Sequence, residues 1–311
     1  MADEPVKPEA PAAAATGPGF RRLPPWLKST LPGRGEYAGT RALLRTQRLA
    51  TVCEDAHCPN LGHCWERGTA TIMILGERCT RRCGFCAVGP GQPDGIVDWD
   101  EPRRVGEAVA AMGLRHAVIT SVTRDDLKDG GSTVFALVIR EIRQRSRTAI
   151  EVLIPDFRGK FDDLQSVIEA RPEVINHNVE TVERLHPTVR PSARYARSLE
   201  LLQRVKRSGT GIRTKSGIML GLGETDAEVE RTLADLRAHG CDLLTIGQYL
   251  RPTPDHLPVA GYVHPDKFAF WESRAVALGF AKAASGPLVR SSFHADELAG
   301  TIRRGESSKS G

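Results

Sequence analysis

The feature that most limits the fold is a regular alternation of short apolar runs with amphipathic stretches. Runs at 70–75, 117–122, 150–154, 174–179, 217–222 and 243–249 read as strands. Residues 102–112, 133–145, 161–170, 193–207 and 226–239 between them read as helices, and a further helix is expected over 265–278. Strands this apolar need cover on both faces, so a parallel sheet flanked by helices is expected. Crossovers of one hand curl such a series in one direction, toward an open α/β barrel of six β–α units. A doubly wound sheet is the other arrangement, but no Gly-x-Gly-x-x-Gly turn follows the first strand to support a dinucleotide fold. Asp162, Ser192 and Thr225 are expected to cap helix starts, and Gly113, Gly209 and Gly240 to end helices. In barrels the chemistry gathers where strands end. Thr120, Ser121, Thr123, Arg124 and Asp125 stand at one such end, and Asn176, His177, Asn178 and Glu180 at another. Gly221, Leu222, Gly223 and Glu224 end the fifth strand, and Gln248, Tyr249 and Arg251 the sixth.

Six of the seven cysteines fall into two triplets. Cys79-x3-Cys83-x2-Cys86 directly follows the first strand. Such spacing lets three thiolates converge on a soft metal centre, and an iron–sulfur cluster held by three cysteines keeps one iron open. Zinc sites more often use Cys-x2-Cys pairs completed further along the chain. Cys53-x4-Cys58-x5-Cys64 lies in a loop with Pro59, Asn60, Gly62 and His63. Its distinct spacing, and the apolar strand between the triplets, point to a second centre; a zinc knuckle completed by His57 or His63 is the alternative. Cys241 stands alone and is expected to be a buried core thiol. Clustered cysteines of this kind suit metal ligation in a reducing compartment, and a cytoplasmic location is expected.

The 311 residues are 40% hydrophobic and 26% charged, as in a soluble globular protein. No apolar run is long enough to span a membrane. The net charge of +5 comes without a Lys/Arg stripe interleaved with aromatics, so no nucleic-acid partner is expected. It suits an acidic protein partner, with Arg124, Arg251 and Arg290 as candidate contacts. Four segments are expected: a disordered tail at 1–19, an extension carrying the first triplet at 20–69, the barrel at 70–280, and a C-terminal extension at 281–311. The last holds Arg290-Ser291-Ser292-Phe293-His294-Ala295, which could be a surface loop or could reach back to the site.

The triplet Cys79, Cys83, Cys86, with Phe85 before its last cysteine, resembles the signature of the radical S-adenosylmethionine (SAM) enzymes. Together with Cys53, Cys58, Cys64 and the stretch Arg290 to Ala295, the chain resembles the lipoyl synthase family over roughly 25–298; Phe293 stands where that family usually has Tyr. The resemblance implies a partial TIM-like barrel, two 4Fe-4S clusters and SAM as cofactors, and insertion of two sulfur atoms into an octanoyl chain on a carrier lysine. It implies that Cys79, Cys83 and Cys86 hold the SAM-binding cluster. Cys53, Cys58 and Cys64, with Ser292 as fourth ligand and Arg290 beside it, hold the sulfur-donating one. SAM would be met by Phe85, Thr120 and Ser121, by Asn178 and Glu180 at the ribose, by Arg194 at the carboxylate, and by Met219 and Gly221 at the adenine. Implied partners are octanoylated carrier domains (the glycine-cleavage H protein and 2-oxo-acid dehydrogenase acyltransferase subunits), a ferredoxin or flavodoxin reductant, and an iron–sulfur cluster carrier. Other readings are a radical SAM enzyme that sulfurates a free small molecule, and a non-enzymatic two-cluster electron carrier or assembly scaffold.

Overall fold

The computed structural model describes residues 23–28, 36–56, 58–66, 70–292 and 295–300. The expected tail at 1–19 lies outside the described residues. One sheet holds eight strands in sequence order: β1 (Ala50–Thr51), β2 (Thr71–Ile74), β3 (His116–Ser121), β4 (Ala149–Leu153), β5 (Val174–Asn176), β6 (Arg213–Leu220), β7 (Leu243–Gln248) and β8 (Lys282–Gly286). β1 runs antiparallel to β2, with Ala50 opposite Met73, and every later pair is parallel. β8 does not pair back onto β1, so the barrel is open.

The helices are α1 (Glu36–Thr46), α2 (Val52–Asp55), α3 (Leu61–Glu66), α4 (Glu101–Ala111), α5 (Ser132–Arg145), α6 (Phe161–Glu169), α7 (His186–Val189), α8 (Tyr195–Arg207), α9 (Asp226–Ala238), α10 (Pro265–Ala277) and α11 (Ala295–Ala299). The partial α/β barrel is as expected, and all six strands read from the sequence are present. Two strands were missed. β1 is only two residues long, and β8, Lys-Ala-Ala-Ser-Gly, lacks the branched residues that mark a strand.

Thr225 caps α9, accepting from Glu228 N while the Glu228 side chain returns to Thr225 N. The other two expected caps are corrected. Lys160 holds the N-cap position of α6, which leaves Asp162 in the first turn, and Arg194 holds that of α8, beyond Ser192. Gly113, Gly209 and Gly240 follow helix ends with positive φ, as expected.

Parallel register sorts the lumen into layers. Asn176 lies beside Lys215, and Glu151 one strand away pairs with Val174. There Lys215 Nζ meets Glu151 Oε1 at 2.8 Å with both side chains fully buried, and Asn176 Nδ2 donates to the same oxygen at 3.0 Å. β5 ends at this polar layer, while β6 and β7 run on together to Leu220 and Gln248 before their loops begin. The chain after β8 crosses the open side. Asn60 Nδ2 donates to Leu288 O at 2.6 Å, while Leu298 packs on Val174 and Leu243 at the opposite ends of the strands.

Candidate functional site

The loop after β2 carries Cys79, Cys83 and Cys86, and backbone and side-chain bonds tie it on every side. Cys79 N donates to Gly89 O at 3.0 Å and Gly91 N to Cys79 O at 2.8 Å. Thr80 Oγ1 donates to Thr123 O at 2.9 Å, which pins the loop to the end of β3. Gly84 N reaches Val189 O, and Leu257 N reaches Gly84 O, both at 2.9 Å. A β-carbon on Gly84 would stand 2.8 Å from the Leu257 side chain, so any larger residue at this crossing would have to displace Leu257.

Arg81 is the deepest part of the clamp and is only 6% exposed. Its guanidinium forks onto Asp125 at 2.8 and 3.0 Å, and Nη2 also reaches Asp156 Oδ1 at 2.5 Å. Asp156, just past β4, takes a second guanidinium from Arg197 on α8 at 3.1 Å. The three thiols therefore sit on a preorganised frame. Burial raises the Cys83 thiol, against the pull of Arg190 and with the help of Glu180 and Cys79. Burial pushes Cys86 up to about 12, and Cys83 and Cys79 add to the shift.

Cys53, Cys58 and Cys64 are strung on consecutive turns. Cys58 N donates to Cys53 O at 3.1 Å, Leu61 N to Cys58 O at 3.1 Å, and Cys64 N to Asn60 O at 2.9 Å. Burial pushes Cys53 to about 11 and raises Cys58; Arg290 draws Cys58 back down. Arg290 is half-buried, and burial lowers its own pKa while Cys58 opposes that. Through Asn60 Nδ2 on Leu288 O, the C-terminal segment lies against the first triplet's loop. It also lies on the sheet, since a β-carbon on Gly247, near the end of β7, would collide with the Val289 carbonyl. Asn178 Nδ2, beyond β5, donates to Ser291 Oγ at 2.8 Å. Ser292 follows, partly buried.

The chain from 73 to 236 matches the radical SAM superfamily model, and residues 14–58 match the N-terminal domain of lipoyl synthase. A lipoyl synthase of Rubrobacter xylanophilus is 55% identical over 91% of this chain and 88% of its own length. One of Thermus thermophilus is 51% identical over 92% and 90%.

The chain belongs to the lipoyl synthase family.

It is thereby an enzyme of the radical SAM superfamily, a sulfurtransferase, and the reading as a non-enzymatic carrier or scaffold is set aside. The fold is shared more widely. Streptococcus suis SuiB bound to its precursor peptide superposes with a TM-score of 0.55 at 10% identity, over 80% of this chain and 52% of that one.

Among the described residues, no three His, Cys, Asp or Glu side chains are placed to hold a single metal ion. A four-iron cluster presents its irons at separate corners, so its thiolates need not meet at one point. The all-sulfur donor sets of both triplets, with Cys83 and Cys79 acting on Cys86, fit such a group. His57 lies outside the described residues, and the side chain of His63 is not described.

The positions implied for SAM are distributed as follows. Asn178 and Glu180 are joined, Nδ2 to Oε1, at 3.0 Å. Burial raises the Glu180 carboxyl, while Arg190 and Asn178 oppose the shift. Ser121 Oγ is buried without a partner, whereas Thr120 Oγ1 is held by Leu153 O at 3.0 Å. Met219 N donates to Glu180 O at 2.8 Å, and Gly221 N to Glu224 Oε1 at 2.5 Å. Phe85 is half-buried in the cluster loop, and Arg194 is exposed at the start of α8.

Several strand-end groups serve the scaffold instead. Gln248 bridges Leu220 O, Gly261 O and Val263 N. His177 spans Ile154 O and Ser198 Oγ at 2.8 and 2.9 Å. Arg124 is corrected as a docking contact. It is 1% exposed, paired with Asp126 and bonded to Leu75 O and Ile96 O. Arg251 is exposed and bonds His256 O and Pro254 O. Cys241 is fully buried, as expected, and burial pushes its thiol to about 12.

Arg81, Asp156 and Arg190 were missed. Arg190, 9% exposed, donates to Asn178 O at 2.7 Å and so backs the Asn178–Glu180 pair. An arginine between two ligand cysteines, and an acid just past a strand end, were signals that could have found the first two.

Proposed function

We propose that this lipoyl synthase family member inserts two sulfur atoms, at the sixth and eighth carbons, into an octanoyl chain held in amide linkage on a carrier-domain lysine. When bound, a cluster on Cys79, Cys83 and Cys86 with SAM would supply one-electron removal of hydrogen from unactivated methylenes, and a second cluster would supply sulfur. Such methylenes have no acidic proton, so general bases cannot open them. The chain's own residues hold and orient. Cys53, Cys58, Cys64 and Ser292 are the ligands proposed for the sulfur-donating cluster, with Arg290 beside them. A serine oxygen is a harder donor than thiolate and a weaker match to a soft centre, which suits a ligand that must let go. Phe85, Thr120, Ser121, Asn178, Glu180, Arg194, Met219 and Gly221 form the proposed SAM site. Partners are octanoylated carrier domains of the glycine-cleavage and 2-oxo-acid dehydrogenase systems, a ferredoxin or flavodoxin, and an iron–sulfur cluster carrier. A cytoplasmic setting follows from this reducing chemistry, and no helix among the described residues is long and apolar enough to cross a membrane.

The observation that carries this reading is the course of the C-terminal segment. It touches the first triplet's loop through Asn60, and the strand-end pair beside the second triplet through Asn178. The test replaces Cys53, Cys58 and Cys64 together with alanine. Deoxyadenosine should still form from SAM while no sulfur reaches an octanoylated carrier domain. Lipoyl product from that variant would overturn the sulfur-donor assignment. Equal conversion of free octanoate would favour a small-molecule substrate.

A further inference from the structure

We infer that Ser291 is a positioning residue for the nucleoside half of SAM, acting through Asn178 and so tying the C-terminal segment to SAM binding. This rests on the proposal that Asn178 and Glu180 meet the ribose. Asn178 is 5% exposed. Its Nδ2 carries two hydrogens. One goes to Glu180 Oε1 at 3.0 Å, the other to Ser291 Oγ at 2.8 Å. Both donors are therefore committed, and the carbonyl Oδ1 is left buried without a partner. That oxygen faces β6, where a β-carbon on Gly217 would stand 2.9 Å from it. A buried acceptor left unpaired carries a desolvation penalty, so the two donor bonds have to hold the amide in this setting.

The rest of the pair cannot set this orientation alone. Glu180 has a left-handed backbone, with φ 66°, bridged on both sides to β6 through Gly217 O and Met219 N. Its backbone is thus tied down, and its carboxylate takes one Asn178 hydrogen. Glu180, an acceptor, keeps the amide nitrogen on its own side, and because the outer torsion of an asparagine is broad and soft, a second bond is needed to fix the plane in which the carbonyl lies. Ser291 supplies that bond, and it is placed by Asn60 on Leu288 and by the seat of Val289 over Gly247. A segment that lies against the first triplet's loop thereby completes the site beside the second. By linkage, SAM must in turn tighten the segment.

The experiment measures SAM affinity by equilibrium dialysis on the cluster-reconstituted full chain, with iron content matched. Asn178→Ala should bind weakly. Ser291→Ala should lose about three- to ten-fold, the weight of one hydrogen bond, and lose the same factor for 5′-deoxyadenosine, which has the ribose but no methionine. Ser291→Thr should restore binding. Should Ser291→Ala lose iron, Ser291→Thr and Ser291→Val, matched in shape, carry the comparison. Hydrogen exchange at 288–291 should slow when SAM is added to the native chain and not in Ser291→Ala. Weak binding by Asn178→Ala with native affinity in Ser291→Ala or Ser291→Val overturns the inference and leaves the proposed SAM site standing. Native affinity in Asn178→Ala overturns both.

Discussion

Asp156→Asn tests the clamp beneath the cluster loop. The Asp156 side chain is fully buried and takes Arg81 at 2.5 Å and Arg197 at 3.1 Å. Burial alone would raise its carboxyl, but the Arg81 bond and charge outweigh burial and hold it down from 3.8 to about 2. At 1.36 kcal/mol per unit, that depression corresponds to about 2 kcal/mol of native stability. A depressed carboxyl contributes fully above its unfolded value and loses the contribution as pH falls toward 2, so it is whole at pH 7. Hydrogen bonds to charged groups are independently worth about 1.5–3 kcal/mol. Asp156→Asn should therefore cost about 2 kcal/mol in urea unfolding of the cluster-free chain at pH 7. Because Arg197 also shares Asp156, a double-mutant cycle with Arg81→Gln isolates the clamp and should show a coupling of about 1–2 kcal/mol. Iron should also leave the Cys79 loop faster under chelator. A coupling near zero, with a single-variant cost of a surface change, about 0.5 kcal/mol or less, would refute the claim that Arg81 is held through Asp156.

Lys215→Met should cost about 3–5 kcal/mol, since it takes the Lys215 cation from fully buried Glu151, which keeps Asn176 and His116 beside it, while Lys215→Met with Glu151→Leu should recover most of that; equal losses in single and double variants would count against it. Burial pushes His177 and His186 down to about 4, so the unfolded chain takes up more protons between about pH 6.5 and 4 and stability falls as pH drops through that window. From pH 7 to 5 each should remove about 2 kcal/mol, and His177→Asn should show a visibly shallower loss in urea titrations. Gly247→Ala should lift the C-terminal segment off β7, seen as faster hydrogen exchange at 288–291 with iron content kept. Unchanged exchange would mean the segment is not seated there.

The β–α rhythm was legible because period and burial coincide: β2 and β7 are buried along their whole length, and a run with no polar face can only be an inner strand. The Cys spacings were equally legible, since ligand chemistry lies in residue type and short separation. Less visible was anything held by long-range pairing. β8 is small and weakly strand-forming and exists because β7 offers it an edge. Arg124 reads as a surface cation, yet the Leu75 and Ile96 carbonyls and Asp126 draw it inside.

By itself the sequence determined the parallel order of the sheet, the two cysteine sets and the end of the barrel at which one of them lies. These depend on local periodicity and on neighbours a few residues apart. Only the tertiary structure decided that Arg81 is anchored 44 and 75 residues away, and that Ser291 meets Asn178 across 113. Charged and polar side chains satisfy themselves with whatever the fold brings within 3 Å or so, and no pattern along the chain specifies which distant partner that is.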